Sequence, residues 1–139
     1  MAVNNNPIFV GTPIVQQIFT TEATARGGDG GTYRLLFTPG TDGSRVERVT
    51  AVLSGTMSAS TSAMAVRVYI KNVDNGILYL YRESVLPTST PSVSVLGANT
   101  TFNFNGGLCL GTQSEIWVGQ STYAGAADRV SWIAEGGRF

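Results

Sequence analysis

The chain has 139 residues, 42% hydrophobic and only 13% charged, and its nine basic side chains balance nine acidic ones for a formal net charge of zero. That length is one domain by the usual prior, with room for a sizeable core, and neutrality argues against nucleic-acid binding through phosphate neutralisation. There is no histidine and a single cysteine, which removes the usual general base, the usual zinc ligand, the Ser-His-Asp triad and any internal disulfide.

The charged fraction is about half that of an ordinary soluble domain. Glycine, serine, threonine and asparagine take its place, giving a surface that does little to oppose association. No apolar run approaches a membrane span, and the start M-A-V-N-N-N lacks a basic region followed by an apolar one. The expectation is a chain made in a cytoplasm, with neither membrane nor nucleic acid as partner.

In chain order, residues 1–13 carry N-N-N, Pro7 and Pro13 around short apolar pieces and read as an extended N-terminal arm or edge strand, because proline cannot serve a central ladder. Residues 14–139 read as one β-sandwich domain, opening with a strand from about Ile14 to Thr21. Arg26-Gly-Gly-Asp-Gly-Gly31 is a turn and not a phosphate loop, since it lacks the lysine and the following helix. Tyr33–Phe37 is a short strand closed by the turn cluster Thr38–Gly43. In Arg45–Leu53, Val49, Ala51 and Leu53 share one face while Val46 has the opposite parity, so a bulge near Glu47-Arg48 is expected.

Ser54–Ala63 reads as a loop. The firmest local signal follows it, in Met64–Glu83. Met64, Val66, Val68 and Ile70 alternate with Arg67, Tyr69 and Lys71, the period of a half-buried strand. Asn75-Gly76 then predicts a two-residue type I′ hairpin turn, with Ile77–Arg82 as the return strand. After a proline-rich stretch, Val93 and Val95 begin another strand. Phe102 and Phe104 are expected inward with Asn103 and Asn105 outward, and Leu108-Cys109-Leu110 is a short apolar piece with the cysteine packed as a small hydrophobe. Glu115–Gln120 holds Ile116, Trp117 and Val118. The last strand, Val130–Ala134, puts Val130, Trp132 and Ala134 on one face. About eight or nine short strands with turns roughly every 8–12 residues predict an all-β fold, an antiparallel β-sandwich or jelly roll.

For chemistry, the carboxylates Glu22, Asp29, Asp42, Glu47, Asp74, Glu83, Glu115, Asp128 and Glu135 formally allow a glycosidase pair. Most sit in turns or beside an arginine, as solvated or locally paired groups do. Asp74-Asn-Gly and Asp42-Gly lack the ligand spacing of a calcium loop. Tyr69, Tyr79, Tyr81, Tyr123, Trp117 and Trp132 are the residues that could stack on sugars, with core packing or a subunit interface as the commoner use of such rings. No catalytic, cofactor-binding or metal-ligating residue is assigned, no cofactor is expected, and the chain is read as not an enzyme.

Three stretches in order along the chain carry a resemblance: N-P-I-F-V-G-T-P, F-T-P-G-T-D-G-S-R-V-E-R-V and W-I-A-E-G-G-R-F. With them the chain resembles small β-rich virion structural proteins of tailed bacteriophages, of the head decoration (cement) kind. The resemblance implies a non-enzymatic protein on the capsid surface of the virion, contacting the major capsid protein or another virion protein. The alternative reading is a receptor- or carbohydrate-binding β-module of a phage head or tail fibre. Low charge and the ends of the chain lead to a further expectation, a homo-oligomer with a trimer favoured. In it, the arm lies along a neighbouring subunit and Phe139, after a flexible Gly136-Gly137, places its ring in a pocket next door.

Overall fold

The computed structural model describes residues 11–23, 32–55, 62–92, 94–121 and 128–139. Their regular structure is eight strands: β1 Thr12–Thr20, β2 Arg34–Phe37, β3 Ser44–Gly55, β4 Met64–Asn72, β5 Leu78–Leu86, β6 Asn99–Leu110, β7 Ser114–Gln120 and β8 Asp128–Arg138. They form two four-stranded sheets, ordered β1-β8-β3-β6 and β2-β7-β4-β5, and every pairing is antiparallel. Strand 1 therefore lies beside 8, 2 beside 7, 3 beside 6 and 4 beside 5. A long antiparallel ribbon rolled over itself into two layers gives this order, which is that of a jelly roll.

Alternation builds the core between the layers. β3 turns Val49, Ala51 and Leu53 inward, β6 turns Phe102 and Phe104, and β8 turns Val130, Trp132 and Ala134, all 8% exposed or less. The facing sheet supplies Phe37, Met64, Val66, Val68, Leu86, Ile116 and Val118, each 3% exposed or less. Burying one such side chain fully is worth roughly 1.5–3 kcal/mol, so this layer contact outweighs any single surface pair. The bulge expected in β3 is present: its register against both neighbours shifts between Val46 and Arg48. The extra residue restores Val46 to the core side, where it is completely buried.

Several local expectations need correction. The central hairpin exists, but its loop runs from Val73 to Ile77 between β4 and β5 and is not a two-residue turn. The Gly76 amide donates to the Asn72 carbonyl at 2.8 Å and the Asn72 amide to that of Ile77 at 3.1 Å. Gly76 has φ of +69°, the left-handed backbone for which glycine is suited. The turn signal located the reversal, while hydrogen bonding of Asn72 on both sides set a longer loop. Val95 lies in a bend ahead of β6 and does not begin a strand; Val93 lies outside the described residues. Phe102–Phe104 and Leu108–Leu110 are one strand, because the ladder to β3 resumes after a shift from Arg48↔Asn103 to Val46↔Leu108.

Cys109 is exposed, since Leu110 occupies the inward position beside it. β1 begins at Thr12 and holds Pro13 in its ladder to β8, which an edge strand allows. Gly136 and Gly137 are no flexible lead: they pair with Ile14 and Pro13 on one side and with Val46 and Arg45 on the other. The following Phe139 amide donates to the Gly43 carbonyl at 3.3 Å.

Candidate functional site

Four of the carboxylates expected as possible acid–base groups, Glu47, Glu83, Glu115 and Glu135, are held by neighbours of their own. Glu47 lies 2.7 Å from the Arg45 Nε, Glu135 pairs with Arg48, and Glu83 lies 3.4 Å from the Arg67 Nε. Glu115 accepts from the Trp117 indole N–H at 2.9 Å. Asp42 and Asp74 sit in turns, and the Asp74 amide is itself bonded to the Asn72 side chain. The residues around Asp29 and the side chain of Asp128 lie outside the described residues. Among the described residues no three His, Cys, Asp or Glu side chains converge as a metal site would require.

The aromatic candidates separate into two groups. Trp132 and Tyr69 are wholly buried and are no platform for a sugar ring. Trp132 belongs to a polar link between the sheets: its indole N–H donates to the Thr20 hydroxyl at 2.9 Å, and that hydroxyl donates to the Gln120 side-chain carbonyl at 2.5 Å. The Gln120 amide reaches the Thr21 carbonyl at 3.3 Å. Tyr69 was expected on a solvated face. Instead, Tyr33 stands edge-on over it, with ring centroids 5.0 Å apart and planes at 81°, and Arg67 beside it is only 8% exposed. The segment leading into β2 thus covers the middle of β4 from outside. Burial, reinforced by the neighbouring Tyr33, raises the Tyr69 hydroxyl above its ordinary pKa of 10.0.

Trp117 is partly covered by Lys71, whose ammonium lies 4.5 Å from the ring centre, a cation–π contact. Tyr81 leans on Phe104 at 5.7 Å, closing the seam between β5 and β6, where Ser84 and Thr100 also bond across the sheets at 3.1 Å. Tyr79 remains half exposed, and Tyr123 lies outside the described residues.

Among the described residues the fold offers shallow surface hollows. On the outer side of the β1-β8-β3-β6 sheet, Val15 is 63% and Phe19 53% exposed. The Arg129 guanidinium sits 4.7 Å from the Phe19 ring. Two shallow hollows flank β1 there: one of about 580 Å³ bordered by Pro13, Arg48, Asn103 and Glu135, the other of about 500 Å³ bordered by Gln17, Phe19, Ser131 and Ile133. Leu96, at 89%, projects from the segment between β5 and β6. Val15 and Phe19 share one face of β1 by alternation, and the place of β1 beside β8 turns that face to solvent.

No family model matches the chain, and no curated protein matches it. Among solved structures it is similar to chains in the structures of infectious bursal disease virus, Gt strain and Gx strain. These align over 98% of this chain at 14% and 13% identity, with TM-scores of 0.30 and 0.28. The chain spans about a third of their length, 36% and 34% respectively.

Proposed function

We propose that this chain is a non-enzymatic virion structural protein of a tailed bacteriophage, a decoration protein that self-associates and stabilises the head from its outer surface. The observation that carries the reading is the pairing of a jelly roll, an architecture that viral capsid and lectin domains use, with a neutral, charge-poor exterior. Apolar side chains stand out on that exterior from both sheets and from a loop: Val15, Phe19, Tyr79, Val85 and Leu96. Of these, Val15 and Phe19 lie together on the outer face of β1; apolar groups gathered on one face suit burial against other protein, and the sequence resemblance to phage decoration proteins points to a shell as that protein.

The test is a heat challenge of virions with and without this protein, alongside host adsorption by both. Virions lacking it are expected to lose infectivity at lower temperature while adsorbing normally, and adding back purified protein should restore heat resistance. A chain truncated by residues 2–12 should restore it less well while keeping the circular dichroism of a β-fold. Unchanged heat resistance with lost adsorption would overturn the proposal in favour of a receptor- or carbohydrate-binding module.

A further inference from the structure

We infer that β1 is a self-association edge, pairing antiparallel with β1 of a second copy across a two-fold axis at Gln16. The inference takes from the preceding reading only that the chain self-associates, and it names the contact. It is a two-fold contact, in place of the trimer expected from the sequence.

A two-layer sandwich has four edge strands, and an edge strand presents backbone groups that another chain can pair with unless something blunts it. Three of the four edges here are blunted. β2 has four residues, starts at Arg34 and shifts register between Leu35 and Phe37. β5 carries the charged pair Arg82-Glu83 and a bulge at Tyr81, where its register against β4 jumps from Val68↔Arg82 to Tyr69↔Leu80. β6 bows out over residues 104–107, with Gly106 and Gly107 at φ of +81° and +82°. Apart from Pro13 near its start, β1 has no blunting device of this kind. Its nine residues, T-P-I-V-Q-Q-I-F-T, include no charge and pair with β8 without a break from Thr12↔Arg138 to Thr20↔Val130. Among the described residues, its one bond to the facing sheet's backbone is through a side chain, the Gln16 carbonyl accepting from the Thr38 amide at 3.2 Å.

The sequence of β1 also specifies the occupant. Residues directly opposite in an antiparallel pair share a face, so a two-fold axis normal to the sheet must pair residues of equal parity. With the axis at Gln16, Thr12 meets Thr20 of the second copy, Ile14 meets Ile18, and Gln16 meets its own equivalent. On the outer face Val15 meets Gln17, and the exposed Phe19 ring gains Pro13 of the second copy. Ile14 and Ile18, which pack against the edge of the core, thereby join two cores. Proline lies at the end of this register, so its missing N–H removes at most the outermost bond on each side. The product is a continuous eight-stranded sheet, β6-β3-β8-β1 running into its two-fold image.

The test is sedimentation velocity of the full chain over a concentration series. V15K/Q17K sets lysine opposite lysine twice, at two exposed positions, and V15K/Q17E sets lysine opposite glutamate. The wild type is expected to dimerise, the double lysine variant to bind itself at least about tenfold more weakly, and the lysine–glutamate variant to recover. Amide exchange of the wild type reads the same contact without substitution: protection along β1 should rise with protein concentration. If the double lysine variant, folded by circular dichroism, sediments like the wild type, or β1 exchange ignores concentration while the chain dimerises, the contact lies elsewhere and only this inference falls. A wild type that stays monomeric throughout overturns self-association itself.

Discussion

The link between Thr20, Gln120 and Trp132 is the interior feature most open to a quantitative test. Thr20→Val keeps the shape of the side chain and removes only the hydroxyl. Thr20 is 2% exposed, and Gln120 and Trp132 are fully buried, so water cannot replace what is lost. The substitution breaks two hydrogen bonds, at 2.5 and 2.9 Å, and leaves the Trp132 indole N–H without its acceptor. An orphaned buried donor costs ~1–3 kcal/mol and the second lost bond about 1 kcal/mol. The added methyl returns up to ~0.8 kcal/mol. The net expectation is a loss of about 1–3 kcal/mol, corresponding for a chain of this size to a melting midpoint lower by roughly 3–12 °C. Thr20→Ser retains the hydroxyl and should lose only about 1 kcal/mol, the contribution of one buried methyl. Urea denaturation at one fixed protein concentration is the assay, because self-association shifts apparent stability. A cycle with Trp132→Phe isolates the indole bond: Thr20→Val should cost less in the phenylalanine background. If Thr20→Val is as stable as the wild type, the hydroxyl contributes nothing and the reasoning fails.

Gly76→Val should lower stability by ~1–2 kcal/mol through backbone strain alone, since a Cβ there meets nothing within 4 Å at a φ of +69°; an unchanged urea midpoint would contradict this. Gly136→Ala acts by contact instead: its Cβ would lie 2.2 Å from the Arg45 carbonyl oxygen, so β8 and β3 must separate. A loss of more than about 2 kcal/mol is expected, in the range of overpacked interiors, and is measurable by thermal melting. Tyr69 sets an alkaline limit. Its pKa is raised in the folded chain, so above about pH 10 the unfolded chain releases this proton first and stability falls as pH rises through the folded value. Below pH 10 the group adds no pH dependence. Tyr69→Phe should flatten the alkaline fall in denaturation midpoint, and an identical pH profile would refute the assignment.

What the sequence determined by itself is local and periodic. Alternation set the inward residues of β3, β6 and β8, because a strand has only two faces and one of them must be apolar. The parity break at Val46 was enough to place a bulge, since no regular strand can bury both Val46 and Val49. Gly76 marked the reversal of the central hairpin. The tertiary structure decided what depends on neighbours distant in the chain. Cys109 faces solvent because the register beyond the β6 bulge gave the inward place to Leu110. Tyr69 and Arg67, polar-side residues by alternation, are buried because Tyr33 crosses over the far side of their strand. Thr20 lies 100 residues from Gln120 and 112 from Trp132, and only the rolling of the ribbon brings it to them. The bareness of β1 is of the same kind. Its uncharged composition is plain in the sequence, but that it forms an edge follows from the strand order, which long-range pairing alone fixes.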